Sequence, residues 1–497
     1  MGVVIKQSFW GTVIAYIGVI VGYLNALYFR AEYFDLDQIG LFTLITANAM
    51  IISPVSSFGM GSSLLKYFPN FQNENRNRFF TFLLLITLLG NALILAIGYL
   101  MRDLIAARYA DSAPTFINFL SITAIIIVSN SLFELFFAYS RIILKIVFPS
   151  FLRDIYLRVA SLLLVFGYAV HWWSFNDAIM GLGLVYLLAF IILFLQIILI
   201  HKLRFDFHFG IITKEWRIKL MKFGFYSMLM AGSFGVLNNI TYDQITITLG
   251  SEMNGIFTTC FFIAMIVEMP RRNMANIIAP IISKQLKEQN MVEVNKIYRK
   301  SSITMSVIGL LLFMGIATNL NDLFDFIPKG DSFQLGFWVV IYVCTAKLVL
   351  MASSFASEVI NFSHLYRYNL LFQILAAITL ISLNVIFIPI WGLNGAGISY
   401  LITILFHNIL KLTFVRYHFG IHPFMKSHVP LAIIGIVVST IAFLIQPQLH
   451  PIINILIRSI LTSVVFISLI YRFRISDDIN RLIHATFERF LKIKLTK

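Results

Sequence analysis

The chain has 497 residues, of which 59% are apolar and 12% are charged. An ordinary soluble protein carries roughly 25% charged residues, so this composition excludes a soluble globular protein and predicts an integral membrane protein. The net charge of +15 does not indicate nucleic-acid binding, because the basic residues lie in short connectors between apolar runs. Cys260 and Cys344 both fall within predicted helices, so neither a disulfide framework nor a cysteine metal site is expected.

The apolar runs predict an all-α fold with about fourteen transmembrane helices. The first run, residues 9–30, is followed by no small-residue cleavage site, so we expect a retained helix and not a signal peptide. A helix needs about 20 apolar residues to cross the hydrocarbon of a bilayer. By that measure the further spans lie near residues 38–64, 79–101, 115–140, 148–171, 178–200, 219–241, 254–283, 299–319, 334–360, 366–388, 392–415, 428–446 and 452–471.

The basic residues of the connectors predict the orientation of these helices. With the N-terminus inside, the outer connectors hold only Arg30, Arg102, Arg108 and Lys329. The inner connectors are much more basic, and their clusters lie at residues 202–219, 284–300 and 472–497. This asymmetry predicts that both termini are cytoplasmic, and it supports an even number of helices.

The C-terminal tail, residues 474–497, has the pattern of a basic amphipathic helix. Ser476 is a plausible N-cap, and two aspartates follow it. Apolar residues then alternate with basic ones in the helical period; the apolar set is Ile479, Leu482, Ile483 and Phe490. We expect this helix to lie on the inner leaflet of the membrane.

The sequence also repeats itself. Residues 37–42 (DQIGLF) resemble residues 252–257 (EMNGIF), and Pro54 corresponds to Pro270 at nearly the same offset. Because the offset spans an even number of helices, the halves are expected to be parallel repeats around a central substrate cavity. The predicted organisation is an N-lobe at residues 1–205, a C-lobe at 206–420, two extra helices at 421–473 and the tail at 474–497.

The eighth predicted helix carries unusual charge in the stretch VEMPRRNMANIIAP. Arg271 and Arg272 are followed by a further apolar turn and a half, and Glu268 precedes them by three and four residues. Adjacent helix positions diverge by about 100°, so the two arginines cannot share one face. We expect Glu268 to neutralise one arginine while the other faces the cavity. The alternative is that the helix ends near Pro270 and both arginines are interfacial anchors.

Three more spans contain ionisable residues. Lys347 lies about 20 Å from the outer end of the tenth helix, and Glu358 is expected on nearly the same face, so both are assigned to the cavity. For Glu134 in the fourth helix, a cavity position and a pairing with Arg158 or Arg153 of the fifth helix remain equally good interpretations. Asp243 is expected to end the seventh helix in a solvated or capping role.

No motif in the sequence indicates an enzyme. There is no phosphate-binding GxxxxGK[ST] loop, no HExxH, and no nucleophile with a base and an orienting group at a recognisable spacing. His418, His422 and His428 cluster in an inner connector, where a solvated basic loop is a better interpretation than a metal site. We therefore expect no catalytic residues, no cofactor and no metal.

The stretch NVIFIPIWGLNGAGISYLIT, before the twelfth helix, is the most specific motif of the chain. Together with the repeated lobes and the step Asp243…Gly250…Gly255-Ile-Phe257, it resembles the Wzx-type polysaccharide transporters of the multidrug/oligosaccharidyl-lipid/polysaccharide (MOP) exporter superfamily. Pro389 and Gly392 fit a tight outer turn, and Gly395 and Gly397 permit close helix packing. These residues point to a fold and not to a substrate.

The resemblance implies a function. Such proteins flip undecaprenyl-pyrophosphate-linked oligosaccharide from the inner to the outer leaflet of the bacterial inner membrane by alternating access. It also implies that cavity cations face the pyrophosphate; Arg271, Arg272 and Lys347 match that role, with Glu268, Glu134, Glu358 and Arg158 as charge partners. The implied partners are the lipid-linked substrate, membrane lipids and polysaccharide polymerase or assembly proteins, and a Na⁺ or H⁺ coupling ion remains open. The expected state is a monomer.

Three alternatives remain. A lipid II flippase of the same superfamily also has fourteen helices and a basic cavity. A cation-coupled multidrug antiporter should have a cavity dominated by carboxylates and aromatic rings, whereas the deep residues here are mostly basic. A membrane glycosyltransferase or polymerase needs an outer loop domain or a carboxylate-rich site, and neither is present in the sequence.

Overall fold

The structure is a computed structural model that describes residues 14, 17–72, 74–143, 145–200, 203–445, 449–481 and 484. Within these ranges the regular structure consists of helices, without any strand, and the predicted all-α fold is confirmed. Most of the amphipathic tail lies outside the described residues. Ser476 lies inside them, directly before a helical segment at residues 477–481, as expected of an N-cap position.

The helices of the N-terminal half begin with α1, residues 17–33, which contains the π-helical turn Asn25–Phe29. The others are α2 (Leu36–Ser56), α3 (Met60–Tyr67), α4 (Glu74–Leu100), α5 (Arg102–Tyr109), α6 (Leu120–Ile142), α7 (residues 147–169, with the π-helical turn Leu152–Tyr156), α8 (Phe175–Leu199) and α9 (Lys214–Leu249).

The C-terminal half continues the all-helical pattern. Its helices are α10 (Ser251–Met265), α11 (Met269–Lys287), α12 (Met291–Ala317), α13 (Leu320–Phe326), α14 (Phe337–Ser353), α15 (Ala356–Phe362), α16 (Arg367–Phe419), α17 (His428–Leu444) and α18 (Pro451–Arg472).

Ten helical stretches of the described chain are long and apolar enough to cross a membrane, so the chain is a multi-pass membrane protein. One of them, α16, has 53 residues and is broken at Gly392, whose φ of 58° and ψ of −135° are not helical. The break falls at the tight turn that the sequence predicts between the eleventh and twelfth helices. α17 is also apolar but is shorter than these ten stretches. The first predicted span lies partly outside the described residues. The count of fourteen therefore stays a prediction.

The chain divides into two compact units. The first comprises residues 1–259 and 381–392, and the second comprises residues 260–380 and 393–497. The boundary between these units differs from the predicted lobe boundary at residues 205–206, because contacts group α9 and most of α10 with the N-terminal helices. The predicted lobes are defined by sequence repeats, whereas the compact units are defined by contacts between residues. The lobes therefore stay a prediction.

Aromatic packing forms the interior of the first unit. Phe34 is fully buried and meets the rings of Phe42, Tyr168 and Phe175 at centroid distances of 6.1, 5.2 and 5.4 Å. A second cluster surrounds Phe80 and includes Phe136 and Tyr139. Much of the phenylalanine in the sequence thus fills space between helices, as aromatic side chains commonly do.

The repeated segments of α2 and α10 contact each other at equivalent glycines. A Cβ atom on Gly40 would lie 1.7 Å from the carbonyl oxygen of Ser251, and one on Gly255 would lie 2.1 Å from that of Leu36. The same sequence separation divides Leu36 from Ser251 and Gly40 from Gly255. The contact is therefore symmetric, as a two-fold relation between the segments requires. Asn254 Nδ2 reinforces it by donating to the carbonyl oxygen of Gly40 over 3.0 Å.

Candidate anion-binding site

The helix that carries Arg271 and Arg272 continues through Pro270. α10 passes into the 3₁₀ turn Ile266–Glu268, and α11 then begins with Pro270 in its first two positions. A proline there removes no helical hydrogen bond, because the first N–H groups of a helix have no partner within it. The chain therefore stays helical beyond Pro270 after this change of helix type, and both arginines lie in the first turn of a helix that extends to Lys287. Their roles, in the cavity or as interfacial anchors, stay predictions.

Glu268 and Lys347 form a buried ion pair in the second unit. Lys347 Nζ lies 2.7 Å from Glu268 Oε2 and donates a second hydrogen bond of 2.7 Å to Tyr400 Oη. The side chains of Lys347 and Glu268 are 2% and 9% exposed. Lys347 thus lies deep within the protein, as expected from its position in the span, but its ammonium contacts protein groups and does not face open space.

Arg272 is the arginine that approaches Glu268. Its Nη2 lies 3.4 Å from Glu268 Oε2, the oxygen that also accepts from Lys347, while the Arg272 side chain is 50% exposed. One carboxylate therefore contacts two cations. Nη2 of the half-exposed guanidinium also donates to Met265 Sδ over 3.8 Å.

Arg271 points to the other side of α11. Its Nη1 lies 3.6 Å from Glu358 Oε1 and donates to the carbonyl oxygen of Ser354 over 3.4 Å. The side chains of Arg271 and Glu358 are each 15% exposed. Arg271 Nε and Glu358 Oε2 are buried without a hydrogen-bond partner among the described residues, so this pair has unused bonding capacity.

A backbone break explains how Glu358 reaches Arg271. The sequence places Glu358 on the same face of one helix as Lys347, and this prediction is wrong because α14 ends at Ser353. Ser354 adopts φ 51° and ψ −118°, and α15 starts in a new direction at Ala356. The last carbonyls of a helix lack internal partners, and here Arg271 and the hydroxyl of Ser302 donate to two of them, at Ser354 and Ala352.

Lys411 is a further buried cation that the sequence analysis missed. It lies in the second half of α16, is 6% exposed, and donates to Ser357 Oγ over 2.8 Å. It is close enough to Arg271 and Glu358 to interact electrostatically with both. His407, one turn earlier, is also buried, and its Nε2 has no partner among the described residues. The spacing of these two basic residues within an apolar helix was the available signal.

These contacts define one cluster, which we call the basic cluster: Arg271, Arg272, Lys347, Lys411, Glu268 and Glu358. With its bases protonated it contains four cations and two carboxylates. Lys411 contributes one of the uncompensated charges, and the excess falls by one if that lysine is neutral. A buried excess of positive charge is unfavourable unless an anion or water compensates it, so the arrangement can bind an anion such as phosphate.

The predicted pairing of Glu134 with Arg158 is absent from the described residues. Glu134 is exposed, and the charges that act on it belong to Arg153 and Arg141. Both of those guanidinium groups lie over the ring of Phe137, at 4.6 and 4.5 Å. Glu134 therefore neutralises part of a basic surface without a direct ion pair.

The expectation for Asp243 is wrong. α9 extends to Leu249, so Asp243 lies inside the helix and caps no end. Its Oδ1 accepts hydrogen bonds from the hydroxyl of Tyr109 and from Asn48 Nδ2. Across the described chain, no group of three or more His, Cys, Asp or Glu side chains could hold a metal ion.

Known proteins resemble this chain in structure but not detectably in sequence. No protein-family model and no curated protein matches it. The lipid II flippase MurJ, in an inward closed conformation, aligns with a TM-score of 0.77 at 14% identity and covers 94% of this chain and 99% of its own. An inward-facing multidrug resistance MATE family transporter of the MOP superfamily aligns with a TM-score of 0.63 at 13% identity, over 82% and 94% of the two chains.

A third structure extends the comparison. It is a MOP-superfamily transporter from Pyrococcus furiosus whose binding pocket is described as having reverse polarity, and it aligns with a TM-score of 0.59 at 12% identity over 84% of this chain and 95% of its own. At such identities the similarity establishes the fold alone. The chain has the fold of MOP-superfamily transporters.

Proposed function

We propose that this chain is a flippase for undecaprenyl-pyrophosphate-linked oligosaccharide in the inner membrane of a bacterium. The substrate moves from the inner to the outer leaflet by alternating access, for surface polysaccharide synthesis. Arg271, Arg272 and Lys347 bind the pyrophosphate, and Lys411 adds to the positive potential of the site. Glu268 and Glu358 hold the cations while no substrate is bound.

The observation that carries this proposal is the charge balance of the basic cluster. With Lys411 protonated, four cations share two carboxylates in a region where burying charge is costly, and with Lys411 neutral three cations still share them. A pyrophosphate supplies the missing negative charge, and guanidinium groups bind phosphate oxygens through paired, charge-assisted hydrogen bonds. The half-exposed Arg272 and the unused Nε of Arg271 provide donors for such bonds.

The energetics agree with transport of an anion towards the outside. Moving a negative charge from the negative interior to the outside is favourable by about 2.3 kcal/mol per charge per 100 mV. Transport of this kind does not need nucleotide hydrolysis. An inward Na⁺ or H⁺ can add to the driving force.

A lipid II flippase is the second candidate. The structural similarity to the lipid II flippase MurJ, over 94% of this chain, favours it. Lipid II also carries a pyrophosphate, so the basic cluster would serve the same purpose for a different sugar. A multidrug antiporter fits less well, because organic cations would be repelled by the excess positive charge.

The test is to delete the gene and identify by mass spectrometry which lipid-linked intermediate accumulates on the inner leaflet. An oligosaccharide on undecaprenyl pyrophosphate supports the proposal, and a peptidoglycan precursor selects the second candidate. Complementation with Arg271→Ala/Arg272→Ala is expected to leave the intermediate in place and surface glycan absent, with normal amounts of protein in the membrane.

Lys284→Ala is the matched control. Lys284 lies on the same helix and forms an i,i+4 pair with Glu288 at 3.8 Å, but its side chain is 71% exposed. Its removal should leave export unchanged, since exposed ion pairs contribute little. Normal surface glycan in the double arginine variant would count against the proposed site.

A further inference from the structure

Arg30 is a partly buried cation of the first unit that has no carboxylate partner in the described chain. Its Nη2 donates to Ser161 Oγ over 3.2 Å, and its guanidinium carbon lies 4.1 Å from the centre of the Phe42 ring. Its Nε is buried and unpartnered. These contacts orient the guanidinium without neutralising it.

Arg158 is a second cation of this unit that forms no ion pair within the described chain. The carboxylate of Asp154, one turn earlier, accepts hydrogen bonds from Arg153 at both oxygens, at 3.1 and 3.3 Å, and acts on Arg158 only through its charge, without a hydrogen bond. The side chain of Arg158 lies against α1 at Gly22: a Cβ atom on that glycine would be 3.1 to 3.3 Å from the Arg158 side chain. The missing side chain at Gly22 thus leaves room for the guanidinium.

Three observations bring these arginines into one site. The phenol of Tyr186 interacts electrostatically with both Arg30 and Arg158, so the three side chains are neighbours. Asn25 shares Ser161 Oγ with Arg30, because Asn25 Nδ2 donates to it over 3.2 Å. Asn25 is 2% exposed, and its Oδ1 has no partner in the described chain.

The backbone is irregular at the same place on both helices. The π-helical turn Asn25–Phe29 ends directly before Arg30, and the π-helical turn Leu152–Tyr156 ends two residues before Arg158. Such turns are rare and occur frequently at functional sites, because they change the direction in which the following side chains point. Here they precede two arginines that form no direct ion pair in the described chain.

We infer that Arg30 and Arg158, with Ser161 and Tyr186, form a second anion-binding site within the first unit. Its ligand is an oxyanion, either a phosphate or the carboxylate of an acidic sugar, because two guanidinium forks and two hydroxyl groups supply donors to both. The site shares no residue with the basic cluster. It binds its ligand whether or not the proposed transport function is correct.

The experiment measures binding of three probes to purified protein in nanodiscs by isothermal titration calorimetry: inorganic phosphate, inorganic pyrophosphate and glucuronate. The background is Arg271→Ala/Arg272→Ala, which removes the arginines of the other site. Arg30→Gln and Arg158→Gln are each expected to weaken the best probe at least about tenfold, since each removes a charge-assisted contact. Preference for glucuronate assigns the site to an acidic sugar, and preference for phosphate assigns it to a phosphorylated group.

Two further variants serve as a control and as an independent check of the site. Arg78→Gln removes an arginine of the same unit that is already paired with Asp206 at 2.7 Å, and it should leave the affinity unchanged. Gly22→Ala retains both charges but displaces Arg158, so it should weaken binding roughly two- to fivefold even if the glutamine variants fold poorly. Unchanged affinity in the Arg30 and Arg158 variants, no binding of any probe, or an equal loss in Arg78→Gln would overturn the inference.

Discussion

Lys347 and Glu268 form an ion pair of 2.7 Å in which both side chains are almost completely buried. Arg272 approaches the same carboxylate oxygen at 3.4 Å. Removing one partner of a buried pair leaves the other charge without compensation, which typically costs about 3–5 kcal/mol. The stability of this part of the second unit therefore depends on both residues being present.

We expect Lys347→Met to lower the Tm of the purified protein and to abolish export. Adding Glu268→Gln should restore most of the Tm, since the buried carboxylate, which the first change leaves with only the longer contact to Arg272, is then gone. Thermal unfolding of the single and double variants measures this recovery. Export by the restored double variant would mean that Lys347 serves only to neutralise Glu268; the proposed role in substrate binding requires that export stay absent.

Arg271→Lys should not be a silent change. Nη1 of the guanidinium makes both contacts, to Glu358 and to the carbonyl oxygen of Ser354, so the unpartnered Nε remains as a donor for a phosphate oxygen. A lysine ammonium has no such second donor on a planar fork. Loss of one charged hydrogen bond, about 1.5–3 kcal/mol, should reduce the export rate by roughly tenfold or more. The rate can be measured in proteoliposomes with a fluorescent lipid-linked substrate. Equal rates for Arg271→Lys and the original protein would indicate a simple anchoring role.

Lys411→Met should weaken pyrophosphate binding without lowering the Tm. Lys411 is buried and donates a hydrogen bond to the hydroxyl of Ser357, so replacing its charge with an apolar side chain is expected to leave the Tm unchanged or raised. The same change reduces the positive excess of the basic cluster and should weaken pyrophosphate binding. Lys426→Met, at an exposed position of a connector, is the control and should alter neither property. A lower Tm with unchanged pyrophosphate affinity would contradict the assignment of Lys411.

Gly255→Ala should destabilise the first unit. The new methyl group would lie 2.1 Å from the carbonyl oxygen of Leu36, so the backbone must shift, and overpacking of this kind costs about 1–3 kcal/mol. Gly98→Ala is the matched control, because a Cβ atom at Gly98 would meet nothing within 4 Å. Comparison of the two Tm values checks the prediction. Equal values would mean that the close approach of α2 and α10 is not needed for stability.

The sequence was sufficient to predict the all-α membrane fold and to single out Lys347 and Glu268, which are buried in the structure. The length of the apolar runs and the composition of the connectors are local features of the sequence, so they predict the helices without any knowledge of how the helices pack. The same applies to Glu268, whose spacing from Arg272 indicates a pair on one helix. The link from Glu268 to Lys347 joins residues distant in sequence and became visible only in the structure.

The residues that were missed depend on backbone geometry. The stretch LMASSFASE contains neither proline nor glycine, so nothing in it signals that the helix breaks at Ser354 and that Glu358 turns towards Arg271. Nothing in the sequence signals the π-helical turn Leu152–Tyr156 before Arg158 either. Lys411 was overlooked, despite its spacing from His407, because it lies near the end of the predicted twelfth span at residues 392–415, where a basic residue usually serves as an interfacial anchor.

The paired approach at Gly40 and Gly255 also limits how the chain can vary. The contact of Gly40 with Ser251 is equivalent to the contact of Gly255 with Leu36. A larger helix-to-helix distance at one of these contacts therefore also increases the distance at the other. The same close approach of α2 and α10 therefore constrains both Gly40 and Gly255 to remain small residues. A bulkier residue at either glycine would force both helices, α2 and α10, to move apart. A second substitution at the other glycine should therefore lower the Tm little further.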